Sequence, residues 1–137
     1  HTGSDGGVPL LTLLKRSDFV SVHCPLTPAT HHLIDAAALE AMKPTAILIN
    51  TARGPIVDQA ALLDALRRGE IAGAALDVTD PEPPPPDDPL LGAPNLIVAP
   101  HIGSATHTAR QAMATRAVDN LLAALDGEPM PYPVPTS

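Results

Sequence analysis

The stretch Ala46-Ile47-Leu48-Ile49-Asn50-Thr51-Ala52-Arg53-Gly54 decides how the rest of the chain is read. Its first four residues form an apolar run closed by Asn50, which predicts a short buried strand over 46–50. Arg53 and Gly54 then fall on the turn beyond the strand's carboxyl end. Asp58 caps a helix in which Leu62, Ala65 and Leu66 share one face, and Gly69 ends it. Gly73-Ala74-Ala75-Leu76-Asp77-Val78 is the next strand. Strand, helix and strand with few alternating polar positions indicate a parallel sheet.

The same alternation extends both ways. Upstream, Leu10 to Arg16 suits a short helix and Asp18 to His23 a buried strand, before Pro25 and Pro28 force a loop. Asp35 caps a helix running through Met42, which Pro44 stops. Downstream, Leu96-Ile97-Val98-Ala99 is a fourth strand. A longer helix runs from Ser104 or Thr106 to Asp126, with Met113, Ala117, Leu121 and Leu125 at spacing four, and Gly127 closes it. The expected fold is α/β, a parallel sheet covered by helices on both faces. The run from Pro81 to Pro86 reads as a stiff connection between two strands.

Composition narrows the function classes. The chain has 137 residues, enough for one domain, and 45% of them are hydrophobic. Phe19 and Tyr132 are the only aromatics, and the formal charge is -7. A chain so poor in stacking side chains and so acidic is ill-suited to nucleic acid. Cys24 is the single cysteine, which rules out an internal disulfide and a CxxC metal site. No His, Asp or Glu pair has HExxH-type spacing, so no metal is expected. No apolar run approaches the roughly 20 residues of a membrane span. His1-Thr2-Gly3-Ser4 offers no signal core, so a cytoplasmic protein is expected.

Ligands of parallel sheets bind beyond the carboxyl ends of the strands. Four loops therefore matter: His23-Cys24-Pro25, Thr51 to Gly54, Asp77 to Glu82, and His101 to Ser104. Arg53 has a planar fork suited to a carboxylate, or it packs its stem on the sheet as a surface residue. His101, at a strand's end and followed by Gly103, is placed as a general acid, or merely opens a loop. Glu82 between prolines either orients an imidazole and favours its charged form or is an exposed loop carboxylate. Asp77 either holds polar cofactor atoms or caps a turn. His31, His32 and His107 carry no flanking chemistry. There is no P-loop, no GxSxG elbow and no GxGxxG, since Gly3, Gly6 and Gly7 do not follow a strand.

Four segments together resemble the D-isomer-specific 2-hydroxyacid dehydrogenases: Ser17 to Pro28, Ile49 to Asp58, Ala74 to Val78, and Pro100 to Ser104. The likeness runs from Leu10 to Pro131. Asp77 to Pro83, Ser104 to His107 and Gly127 to Pro131 look most like glyoxylate/hydroxypyruvate reductases.

The resemblance implies a partial Rossmann-like parallel sheet with flanking helices, lacking the first βαβ unit. Residues 1–127 would be the later part of an NAD(P)-binding domain, and 128–137 a tail leading toward a substrate domain. Arg53 would bind the substrate carboxylate, His101 would be the acid/base and a substrate contact, and Glu82 its carboxylate partner. Pro25, Thr51, Asp77 and Gly103 would contact NAD or NADP. The substrate would be a small 2-oxo acid, and the full-length parent a homodimer. Without the Gly-rich turn and the substrate domain, the chain is expected to be a fragment inactive alone. Two rivals stand beside this reading: another 2-hydroxyacid dehydrogenase (phosphoglycerate or lactate type), and a dinucleotide-sensing corepressor of the same fold. Pro100 disfavours a formate dehydrogenase.

Overall fold

Four short apolar runs become four parallel strands in sequential order. The structure, a computed structural model, describes residues 7–134. His1 to Ser4, Gly6 and the last three residues of the tail lie outside the described residues. The elements are α1 (Leu10–Arg16), β1 (Phe19–Val22), α2 (Ala36–Glu40), β2 (Ile47–Asn50), α3 (Gln59–Arg68), β3 (Gly73–Leu76), β4 (Leu96–Val98) and α4 (His107–Leu125). Two 3-10 turns, Gly54–Ile56 and Pro89–Gly92, were not expected from the sequence.

The helices start where their capping side chains dictate. The carboxylate of Asp35 accepts the Ala38 amide at 2.8 Å, and that of Asp58 accepts the Ala61 amide at 3.0 Å. Thr106 does the same for Ala109 at 3.1 Å, which fixes the start of α4. Gly69 ends α3 at φ 68°. There the Glu70 amide reaches back to the Ala65 carbonyl, a left-handed C-terminal cap that suits glycine.

Strand register sorts the side chains into two sets. Val20, Leu48 and Ala74 stand in one row, and Val22, Asn50 and Leu76 in another, all buried. They share a core with Leu14, Leu39, Leu62 and Leu66 from the helices. Truncating one such leucine to alanine typically costs about 2–5 kcal/mol. In the alternate rows the edge-strand residues are open, Phe19 at 68% and Ile97 at 71% exposed, while Ile47, Ile49 and Ala75 of the central strands are half-buried. Within the first unit, α2 and α3 cover the face that carries Val20, Leu48 and Ala74. Right-handed crossovers between sequentially ordered parallel strands put α2 and α3 on the same side.

The β3–β4 connection replaces a crossover helix with the Pro81–Pro86 run, as the sequence suggested. Its Asp80–Pro81 and Glu82–Pro83 peptide bonds are cis. It then enters the second 3-10 turn, where Asp88 accepts the Leu90 amide at 2.8 Å and Leu90 is buried.

The chain forms two compact units, one ending at His101 and the other beginning at Ile102. The second consists of α4 and a returning tail. Gly127 at φ 74° closes the helix. The Asn120 amide donates to the Tyr132 carbonyl at 2.8 Å and its oxygen accepts the Tyr132 amide at 2.9 Å. Arg116 lies over the Tyr132 ring, 5.3 Å from its centre. Among the described residues no helix is long and apolar enough to cross a membrane.

Candidate functional site

The turn after β2 is built on a buried amide. Asn50, the strand's last residue, is fully enclosed. Its oxygen accepts the Ala52 amide at 3.0 Å and its nitrogen donates to the Arg53 carbonyl at 2.9 Å. A buried carboxamide left without these partners would carry a desolvation cost of roughly 1–3 kcal/mol, so the turn is held to one shape. It carries Thr51 and Arg53, both exposed. The Arg53 guanidinium donates from Nη1 to the Ala52 carbonyl at 2.6 Å.

The loop after β3 is held by several contacts. The Asp77 amide donates to the Asn50 carbonyl at 2.9 Å. Thr79 is buried, and its hydroxyl donates to the Pro81 carbonyl at 2.9 Å. Gly54 packs against the Thr79 carbonyl. A side chain on Gly54 would overlap it, because an added Cβ would stand 2.0 Å from that oxygen. Gln59, the first residue of α3, accepts the Asp80 amide at 3.0 Å and donates to the Asp80 carbonyl.

This loop delivers Glu82 to His101. Glu82 Oε1 and His101 Nδ1 are hydrogen-bonded although the two residues are 19 positions apart in the chain. With Nδ1–H donating to the carboxylate, Nε2 is the ring nitrogen left free for chemistry. The side chains are 48% and 39% exposed for His101 and Glu82, so the pair faces a space that a small molecule can enter. His101 has φ 52°, a left-handed conformation that turns the chain sharply after β4.

That space is a cavity of about 480 Å³, within the usual range of small-ligand sites. Asp77, Thr79, Glu82 and His101 are its polar lining, and Leu91, Val98 and Ala99 part of its apolar wall. A second cavity of about 520 Å³ is lined by Pro25, Cys24, Thr51 and Arg53. The structure thus joins Glu82, His101 and Asp77 in one cavity, and Arg53, Thr51 and Pro25 in another. Both sit at the carboxyl edge of the sheet. Gly103 falls in the second unit, beside α4. Among the described residues no cluster of three His, Cys, Asp or Glu is arranged to hold a metal ion.

Sequence reasoning passed over Asn50, Gly54, Gln59 and Thr79 as working residues. Asn50 had a usable signal, since it is the lone polar residue closing an apolar run, where a buried polar group requires partners. Gly54 was noted only as a turn residue. Gln59 and Thr79 gave none.

Residues 3–103 match the model of one family, described as D-isomer specific 2-hydroxyacid dehydrogenase, NAD binding domain. The chain belongs to this family. Among its dehydrogenase relatives, the glyoxylate reductase of Thermofilum pendens is 58% identical over 120 residues, 88% of this chain and 35% of that protein. Among solved dehydrogenases, the NADPH-dependent glyoxylate/hydroxypyruvate reductase of Sinorhizobium meliloti, in complex with NADP and malonate, is 37% identical. It superposes with a TM-score of 0.87 over 98% of this chain and 44% of that one. A D-lactate dehydrogenase of Lactobacillus jensenii with NAD+ is 35% identical, with a TM-score of 0.84 over 95% of this chain and 43% of that one. The chain thus spans about a third of the length of the curated relative named here.

Proposed function

We propose that this chain supplies the proton-transfer and carboxylate-binding part of an NAD(P)-dependent 2-hydroxyacid dehydrogenase that reduces glyoxylate and hydroxypyruvate. The observation that carries the reading is the Glu82–His101 hydrogen bond at the rim of the carboxyl-edge cavity. Glu82 holds the imidazole in the orientation that leaves Nε2 facing the space where a substrate oxygen can sit. As C2 of the oxo acid takes up a hydride, the developing alkoxide takes the Nε2 proton of the doubly protonated imidazolium, which leaves a neutral ring with its Nδ1–H still on Glu82. General acid catalysis of this kind is worth roughly 10²–10⁴-fold.

Arg53 binds the substrate carboxylate. Its guanidinium now contacts only a neighbouring carbonyl among the polar contacts described, on an exposed turn, so it can swing to a bidentate partner with little loss. Pro25, Thr51, Asp77 and Gly103 contact the cofactor. The apolar wall of Leu91, Val98 and Ala99 facing Asp77 fits the nicotinamide side of NAD or NADP. The sequence holds no GxGxxG turn to cradle the pyrophosphate, so these residues fit one half of the cofactor. When bound, the nicotinamide supplies the hydride. Residues 1–127 are assigned to the cofactor-binding domain and 128–137 to a tail leading toward the substrate domain. The working protein is assigned as a cytoplasmic homodimer.

Glyoxylate and hydroxypyruvate are preferred over lactate-type substrates because relatives named as glyoxylate reductase and glyoxylate/hydroxypyruvate reductase share 58% identity with this chain. The test is a chimera in which the aligned 120 residues replace their counterpart in the Thermofilum pendens protein. Oxidation of NADH or NADPH with glyoxylate is expected, and His101→Asn should lower kcat by about 10²-fold or more. Unaltered turnover in that variant would remove His101 from the chemistry.

A further inference from the structure

The loop that carries Glu82 has almost no backbone donors of its own. From Pro81 to Pro86 only Glu82 has a peptide N–H, because the other five positions are proline. Such a segment cannot be fixed by its own ladder of hydrogen bonds. Its last anchor before the prolines is Asp80, and both backbone polar groups of Asp80 are engaged by one side chain. The Gln59 oxygen accepts the Asp80 amide at 3.0 Å, and the Gln59 nitrogen donates to the Asp80 carbonyl.

We propose that Gln59 is a positioning residue, whose carboxamide clamps the Asp80 backbone and so holds Glu82 against His101. The inference rests on the assignment of Glu82 and His101 given above. Only a carboxamide offers a donor and an acceptor side by side in one plane, matching a backbone amide and carbonyl together. A carboxylate of the same shape would keep the acceptor and lose the donor, leaving two oxygens face to face. Asparagine would fall one methylene short.

The base of the clamp is rigid. Gln59 opens α3, whose preceding residue Asp58 caps the helix and donates its own amide to the Ile34 carbonyl at 3.0 Å. One turn on, Leu62 is completely buried. The far side of the loop is braced by Gly54 against the Thr79 carbonyl. Gln59 therefore transmits the position of a core helix to a loop that proline has stripped of donors. Only Pro81 separates the clamped Asp80 from Glu82, so release of the clamp loosens the carboxylate and leaves the core intact.

The experiment uses the full chain with ¹⁵N-labelled histidine, with the His101 signals identified by their loss in His101→Asn. Long-range proton–nitrogen correlations report which ring nitrogen carries hydrogen. At alkaline pH, where the ring is neutral and carries one hydrogen, wild type is expected to show His101 fixed with Nδ1 protonated, and Gln59→Ala and Gln59→Glu are each expected to replace that pattern with averaging between the two nitrogens. A merely structural role would leave the pattern alone. In the chimera described above, both variants should lower kcat about tenfold, a part of the roughly 10²–10⁴ carried by the whole general acid. The KM for glyoxylate should hold, since Arg53 is untouched.

If the wild-type ring shows no fixed pattern, the Glu82–His101 reading and the clamp fall together. If it is fixed and Gln59→Ala leaves it fixed, only the clamp falls. If Gln59→Glu, which preserves volume, keeps the pattern that Gln59→Ala loses, Gln59 acts by filling space and the clamp is likewise overturned.

Discussion

Gly54 and Thr79 meet so closely that a Cβ on Gly54 would stand 2.0 Å from the Thr79 carbonyl oxygen and 2.8 Å from the Asp80 nitrogen. The contact joins two loops that leave neighbouring strands. One carries Arg53, the other Glu82. The gap allows no side chain, and the atoms on its far side are backbone, which cannot rotate away. Arg53 and Glu82 are therefore held in a fixed relation by the smallest residue of the turn between them.

Gly54→Ala should separate those loops. Forced overpacking typically costs about 1–3 kcal/mol, and a backbone neighbour puts this case at the upper end. Thermal unfolding of the chain, followed by circular dichroism, should show a drop in melting temperature. A melting temperature equal to wild type would mean that the two loops are not in contact in solution.

Asn50→Ala should destabilise by about 1–3 kcal/mol, because it removes both partners of a turn whose amide is sealed from water. Asn50→Asp keeps the acceptor for Ala52 but sets a second oxygen against the Arg53 carbonyl. It should be no better than alanine. Urea unfolding measures both, and an aspartate variant as stable as wild type would show that the Arg53 carbonyl does not need the Asn50 donor.

His101 separates function from stability. Left-handed backbone is tolerated by asparagine and costs other side chains roughly 1–2 kcal/mol. The exposed ion pair with Glu82 adds little, on the order of 0–1 kcal/mol. His101→Asn should thus unfold close to wild type, and His101→Val about 1 kcal/mol earlier. Equal stability of the two variants would show that the left-handed turn is not retained.

Arg53→Lys in the chimera should raise the KM for glyoxylate strongly and lower kcat less. An ammonium keeps the charge but cannot bind a carboxylate with two parallel hydrogen bonds. Steady-state kinetics decide it. An unchanged specificity constant would assign carboxylate binding elsewhere.

The four strands, α1, the caps at Asp35 and Asp58, and the stops at Gly69 and Gly127 were all legible in the sequence, while the start of α4 was open between Ser104 and Thr106 until the Thr106 cap fixed it. Each depends on hydrogen bonds or burial patterns that repeat within a few residues, and a linear chain displays such periods directly. The four loops at the carboxyl edge followed from the parallel arrangement, and the family likeness pointed to the same Arg, Glu and His.

What tertiary structure decided is which loops touch. Glu82 and His101 are 19 residues apart, Gln59 and Asp80 are 21 apart, and Gly54 presses on Thr79 across a helix and a strand. The placement of α2 and α3 on one side of the sheet is of the same kind, for it follows from the sequential strand order. No local pattern carries such pairings, because they arise only once parallel strands stack and bring distant turns to a common edge. Apolar periodicity alone therefore set the elements, and strand stacking set which of their loops could work together.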